Sequence, residues 1–97
     1  MFDIELTPEA RDDLRALRKN EPVEIIAAAR GQLQHEPTIE TRNRKRLRPN
    51  EVAEWELRVG KFRVLYNVDV SAQMVRVEAI GFKISNVLFV RGERRAL

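Results

Sequence analysis

Arg42, Arg44, Lys45, Arg46 and Arg48 crowd into seven consecutive positions, and Arg58, Arg63, Arg76 and Lys83 recur along the chain beyond them. A guanidinium keeps its charge and grips phosphate oxygens in a bidentate fork, so arginines on a rigid support make a phosphate-binding surface. The charge is unevenly placed. Residues 1–41 carry five Lys/Arg against nine Asp/Glu, a net −4, whereas residues 42–97 carry 13 against six, a net +7. Positive potential is thereby concentrated in the second half, which favours a polyanionic partner. With one histidine, no cysteine and no cluster of His, Asp or Glu at ligand spacing, neither a metal nor a cofactor is expected. If such a surface cleaves RNA, the economical route is attack of a 2′-hydroxyl on the adjacent phosphate. That route needs a base for the hydroxyl, cations for the charge developing on phosphate, and an acid for the leaving oxygen.

Arg58, Arg63 and Lys83 are the candidate cations and Glu56 the candidate base; Arg42, Arg44, Lys45, Arg46, Arg48 and Arg76 are candidate nucleic-acid contacts. Each has a plainer alternative. Glu56 also suits a surface ion pair with Arg58 or Arg63, Arg76 one with Glu78, and the 42–48 run a solvated loop. His35, just ahead of Glu36-Pro37, fits a helix end whose last carbonyls it helps to cap. Trp55 and Tyr66 alternate with polar neighbours and fit a core better than a base-stacking platform.

These side chains need elements to hold them. Phe2 to Leu6 alternates apolar and acidic residues, the period-two mark of a half-buried strand. Thr7-Pro8-Glu9 opens a helix with a hydroxyl cap, proline in the first turn and an acid beside it, and Ala10, Leu14 and Leu17 follow at helical spacing. Asn20 interrupts and caps a second helix that begins at Glu21-Pro22 and carries Ile25, Ile26, Ala29 and Leu33, so the two helices form a hairpin. From His35 to Asn50 the apolar pattern stops, which predicts a loop or a short irregular element. Glu54–Val59, Phe62–Val68 and Met74–Ile80 read as three strands joined by Gly60-Lys61 and by residues 69–73, with Gly81 closing the third. Asn86–Val90 offers a further short C-terminal strand.

The expected fold class is therefore α+β: an N-terminal strand, a helical hairpin and an antiparallel meander, β-α-α-β-β-β with room for one more strand, in two layers. Trp55, Leu57, Val59, Phe62, Val64, Tyr66, Val75 and Val77 should face the helices, leaving Arg58, Arg63 and Arg76 with Glu54, Glu56 and Glu78 on an open face. Ninety-seven residues, 43% hydrophobic and 34% charged, have room for one core, so residues 1–97 are expected to form one domain. The acidic N-terminus is unlike a secretory signal, and no apolar run is long enough for a bilayer; a soluble cytoplasmic protein without a membrane partner is expected.

Ile4-Glu5-Leu6-Thr7-Pro8-Glu9-Ala10 with Asp13-Leu14, then Lys45-Arg46-Leu47, and above all Trp55-Glu56-Leu57-Arg58-Val59-Gly60-Lys61-Phe62-Arg63-Val64-Leu65-Tyr66 resemble the RelE/ParE toxin superfamily. Its strongest signature is a hairpin reading arginine, valine, glycine, any residue, aromatic, arginine, two further residues, tyrosine. Val77-Glu78-Ala79-Ile80-Gly81-Phe82-Lys83 resembles that family's last core strand. The resemblance runs nearly end to end. It implies a toxin of a type II toxin–antitoxin system, neutralised by a cognate antitoxin that docks in a groove between the helices and the sheet edge. RelE-type members cut mRNA in the ribosomal A site; ParE-type members inhibit DNA gyrase and are not nucleases. Arg58, Arg63 and Lys83 match in type the basic residues that RelE-type nucleases use. In two places the chain departs from that type. Glu56 stands where those nucleases often have a lysine, and Phe89 is the aromatic nearest to their usual C-terminal tyrosine; phenylalanine can stack a base but cannot exchange a proton. The leading expectation is a ribosome-dependent, metal-free mRNA endoribonuclease that inhibits translation. The alternatives are a ParE-like gyrase inhibitor without catalysis and a degenerate, non-toxic RNA-binding relative.

Overall fold

The computed structural model describes residues 1–97 as two helices over a seven-stranded sheet: β1 (Asp3–Leu6), α1 (Pro8–Arg15), α2 (Glu21–Leu33), β2 (Arg44–Arg46), β3 (Trp55–Val59), β4 (Phe62–Asp69), β5 (Met74–Ile84), β6 (Val87–Val90) and β7 (Glu93–Arg95). Thr7 caps α1 as its sequence suggests, its hydroxyl accepting from Ala10 N at 3.1 Å. Asn20 does not cap α2 with its side chain. The break between the helices is tied instead by Glu21, whose carboxylate accepts from Arg18 N at 2.9 Å. No helix is long and apolar enough to cross a membrane.

The strands run in the order β2-β3-β4-β5-β6-β7, antiparallel throughout, while β1 lies parallel to β5. β1 takes the first half of the β5 edge (Asp3 opposite Met74 to Leu6 opposite Val77), and β6 takes the last part (Phe82 opposite Phe89 to Ile84 opposite Val87). A register shift between Leu65 and Tyr66 leaves Glu78 as the extra residue on β5. The parity of β5 flips there: Val75 and Val77 face the helices, Ala79 faces away, and Ile80 faces the helices again.

α1 lies on β5 and α2 on β3 and β4, and the core between the layers contains Leu14, Ile25, Leu33, Trp55, Tyr66 and Val77. All eight side chains expected to face the helices do so, with Val59 only partly buried. The other face is not open, however. Ala53, Leu65, Ala79, Leu88 and Val90 form a second apolar cluster there, with Leu47, Val52 and Leu97 against it. Glu56 and Arg63, expected on an uncovered surface, are only 8% and 7% exposed.

Three strands differ from the sequence reading. β2 lies inside the stretch read as loop, because three consecutive bases carry no apolar alternation to betray a strand. β5 continues past Gly81 to Ile84. Gly81 does not end the strand; a β-carbon there would lie 2.7 Å from Phe89 O, so glycine is what lets β6 come alongside. β7 follows β6 through the Arg91-Gly92 turn, where φ is 53° and 79°.

Candidate phosphate-binding face

Arg58 and Arg63 stand directly opposite each other on β3 and β4, an arrangement that like charges disfavour. They resolve it by diverging. Arg58 stays in solvent, its backbone fixed by Arg58 N donating to Asn43 O at 2.8 Å. Arg63 folds inward, and its Nη1 donates to Gly60 O at 2.8 Å and Phe62 O at 2.9 Å. Its β5 neighbour is Gly81, which contributes no side chain to compete for the space. Arg63 Nε lies 3.9 Å from Glu56 Oε2 and makes no hydrogen bond. Burial lowers the Arg63 pKa from its ordinary value, Glu56 opposes that shift, and Arg58 adds to it.

Beside this couple a cleft of about 140 Å³ is lined by Arg48, Glu56, Lys83, Asn86, Leu88 and Arg95, among others. Several elements converge on it. Asn50 shapes the loop that carries Arg48: its Nδ2 donates to Arg48 O at 2.7 Å and Ala53 O at 2.8 Å, while its Oδ1 accepts from Val52 N and Ala53 N. Lys83 is tied to the hairpin turn, since Lys83 N donates to Lys61 O at 2.8 Å. Asn86 belongs to the turn from β5 to β6 and has φ 65°; Arg95 comes from β7. No carboxylate lies within ion-pair distance of Arg48, Arg58 or Lys83, so their charge is available to a ligand. Glu56 forms part of the floor.

Other candidates are placed elsewhere. Arg44, expected to touch nucleic acid, is buried: its Nε donates to Ile39 O at 3.0 Å and its Nη1 to Gln32 O, so it clamps the end of α2. It turns inward because it shares the helix-facing row with Leu57. Arg46, in the same row, lies over Trp55 at 5.7 Å and 3.9 Å from Glu54. Lys45 is exposed opposite Glu56, and Arg42 is exposed ahead of β2. Arg76 pairs with Glu5 at 2.9 Å, not with Glu78. It lines a larger groove of about 400 Å³ with Glu5, Asp69 and Glu78, an acidic setting far from suited to phosphate. Phe89 stacks on Phe82, centroids 5.6 Å apart, on the helix side of the sheet. It is thus on the wrong face to stack a base beside Arg58. His35 is exposed next to Gln34, whose carbonyl accepts from Phe2 N, at the end where β1 begins. Tyr66 is fully buried, donates to Pro37 O at 2.7 Å, and has its pKa pushed up by burial.

Arg95 and Asn86 were not singled out from the sequence. The available signal was Arg91-Gly92 between Val90 and Glu93, a turn-forming pair analogous to Gly60-Lys61. Arg48 and Lys83 thus stand unpaired at the cleft, Arg95 has only the exposed Glu93 beside it, and the Glu56 carboxylate is largely withdrawn.

A model of the ParE toxin of type II toxin–antitoxin systems (parDE) matches residues 4–82. Among solved structures, the chain is similar to one in the crystal structure of the toxin–antitoxin complex RelBE2 from Mycobacterium tuberculosis, with 27% identity and a TM-score of 0.72, covering 84% of this chain and 98% of that one. No curated protein gives a significant match.

Proposed function

The chain belongs to the ParE toxin family of type II toxin–antitoxin systems, and from that premise we propose that it is a toxin without nuclease activity, a gyrase-type inhibitor whose basic cleft contacts the phosphodiester backbone of the DNA that gyrase holds. The observation that carries this reading is the composition of the cleft. Arg48 and Lys83, with Arg58 nearby, present unneutralised charge, whereas Glu56 is 8% exposed and neither His35 nor Tyr66 is at the cleft. A general base must come within hydrogen-bond reach of the proton it takes, and a second group must protonate the leaving oxygen. The exposed side chains here supply cations, which bind and stabilise anions, and no accessible pair for proton transfer.

One observation favours messenger cleavage as a second reading: Glu56 does reach the cleft floor. Induction of the protein without an antitoxin separates the two. The expected result is growth arrest with impaired DNA supercoiling and intact mRNA, relieved by Arg58→Ala. Ribosome-dependent cuts that vanish in Glu56→Gln would instead establish the nuclease.

The similar chain of RelBE2 was solved with its antitoxin, which supports an antitoxin partner here. The proposed dock is the apolar groove between β1 and α2, lined by Ile4, Leu6, Ile26 and Ala29 with Arg30 at its rim. β1 pairs with β5 alone, so its other edge is free to accept a strand.

A further inference from the structure

Between the end of β1 and the stretch that β6 covers from Gly81 onward, residues 78–80 of β5 have no strand on that edge. Their polar groups are met by side chains. Thr7 Oγ1 donates to Glu78 O at 3.2 Å, Arg91 Nη2 donates to the same carbonyl at 3.1 Å, and Ile80 N donates to Asp13 Oδ2 at 3.0 Å. The other oxygen of Asp13 lies 3.0 Å from Arg91 Nε. Asp13, on α1, is only 9% exposed on its side chain. One carboxylate thus joins three elements: α1 that carries it, β5 through Ile80, and the β6–β7 turn through Arg91. A buried carboxylate that accepts from a backbone N–H and a guanidinium at once is a strong joint. It holds the turn from which β7 departs, and β7 carries Arg95 to the cleft that already contains Arg48 and Lys83.

We infer that Arg95 is the third cation of a phosphate-binding cleft formed with Arg48 and Lys83, and that the Asp13–Arg91 pair is the positioning device that keeps it there. This rests on the reading that the far face binds nucleic acid. It adds a residue from outside the matched stretch of residues 4–82, and a reason for a charged pair remote from the cleft. The geometry suits one phosphate group. Three cations reach one cleft of about 140 Å³ from three separate supports, a loop tied by Asn50, the end of β5 and β7. The nearest competitor for Arg95 is Glu93 at 3.9 Å, which is three-quarters exposed and therefore a weak rival to a phosphate. The ligand class is the phosphodiester backbone of a nucleic acid, duplex DNA or single-stranded RNA.

The test is binding of the purified full chain to a labelled DNA duplex and to a single-stranded RNA of the same sequence, each over a series of salt concentrations. Arg95→Ala should weaken binding about three- to tenfold and flatten the salt dependence by about one counterion, whereas Arg95→Lys should retain the salt slope. Asp13→Asn keeps an acceptor for Ile80 N but removes the anion facing Arg91; it should weaken binding in the same direction with Arg95 intact. Arg11→Ala, which removes an exposed charge on α1, is the control for net charge alone. If Arg95→Ala does no more than Arg11→Ala while Arg58→Ala weakens binding, this inference fails and the nucleic-acid reading stands. If the wild-type chain binds neither probe, the nucleic-acid reading fails and this inference with it. The stronger probe identifies which nucleic acid supplies the phosphate.

Discussion

Arg58 and Arg63 share a residue type, a strand pair and a face, yet the structure divides their labour. Arg63 is satisfied by two carbonyls and faces Glu56, so its removal leaves a buried carboxylate without its cation. Uncompensated buried charge costs about 3–5 kcal/mol in well-defined pairs, and the 3.9 Å separation here places the cost at about 2–4 kcal/mol. Arg63→Ala should therefore lower the denaturant midpoint markedly, while Arg58→Ala stays within about 0.5 kcal/mol of wild type and acts on binding. Equal effects of the two on stability would contradict the division. Tyr66 gives a second case. Tyr66→Phe orphans Pro37 O and should cost about 1–3 kcal/mol at neutral pH. Since burial raises the folded tyrosine above its ordinary pKa, its contribution is complete below about pH 10 and fades as pH climbs past that value. Chemical melts at rising alkaline pH should thus show wild type approaching Tyr66→Phe. At this scale the sequence was legible in residue type and not in posture. Nothing in the order of residues separates an arginine that reaches solvent from one that turns back to its own turn.

Among the elements, strands with an apolar period could be read, and those without it could not. The helix-facing row from Trp55 to Val77 follows from alternation alone, and the structure keeps it. β2 and β7 are mostly charged, and β6 looked like a lone tail because its partner runs beyond an apparent stop at Gly81. The same reasoning hid the second cluster. Ala79 and Leu88 become its members only once the bulge at Glu78 flips β5 and β6 closes over it. Gly81 is where this closure is most exposed to mutation. A β-carbon there meets Phe89 O at 2.7 Å and the side chains of Leu88 and Val90 at 3.1 Å, and the first contact is backbone that cannot rotate aside. Gly81→Ala should cost about 1–3 kcal/mol and loosen β6 and β7 before the rest of the sheet. Amide exchange should show lost protection from Val87 to Arg95 with β3 and β4 little changed; uniform loss across the sheet would argue against a local closure.

Across the whole molecule, two surfaces differ in the physics they offer. The far face is electrostatic: it runs from free cations near the Gly60-Lys61 turn to Glu5, Asp69 and Glu78 at the opposite end, so a polyanion is attracted to one end and repelled at the other. The groove between β1 and α2 is apolar, with Arg30 as its one charged lining residue. Because counterion release makes phosphate contacts strongly salt-dependent and hydrophobic burial is not, salt should distinguish the two. Raising ionic strength should dissociate nucleic acid from the chain while leaving an antitoxin bound. Ile26→Asp places a charge in the groove and should weaken antitoxin binding by at least tenfold while nucleic-acid affinity changes little. The variant would then arrest growth even with antitoxin present, provided its melting temperature stays near that of wild type. If Ile26→Asp is still fully neutralised, the antitoxin contacts a different surface, and the basic cleft itself becomes the site to examine for direct occlusion.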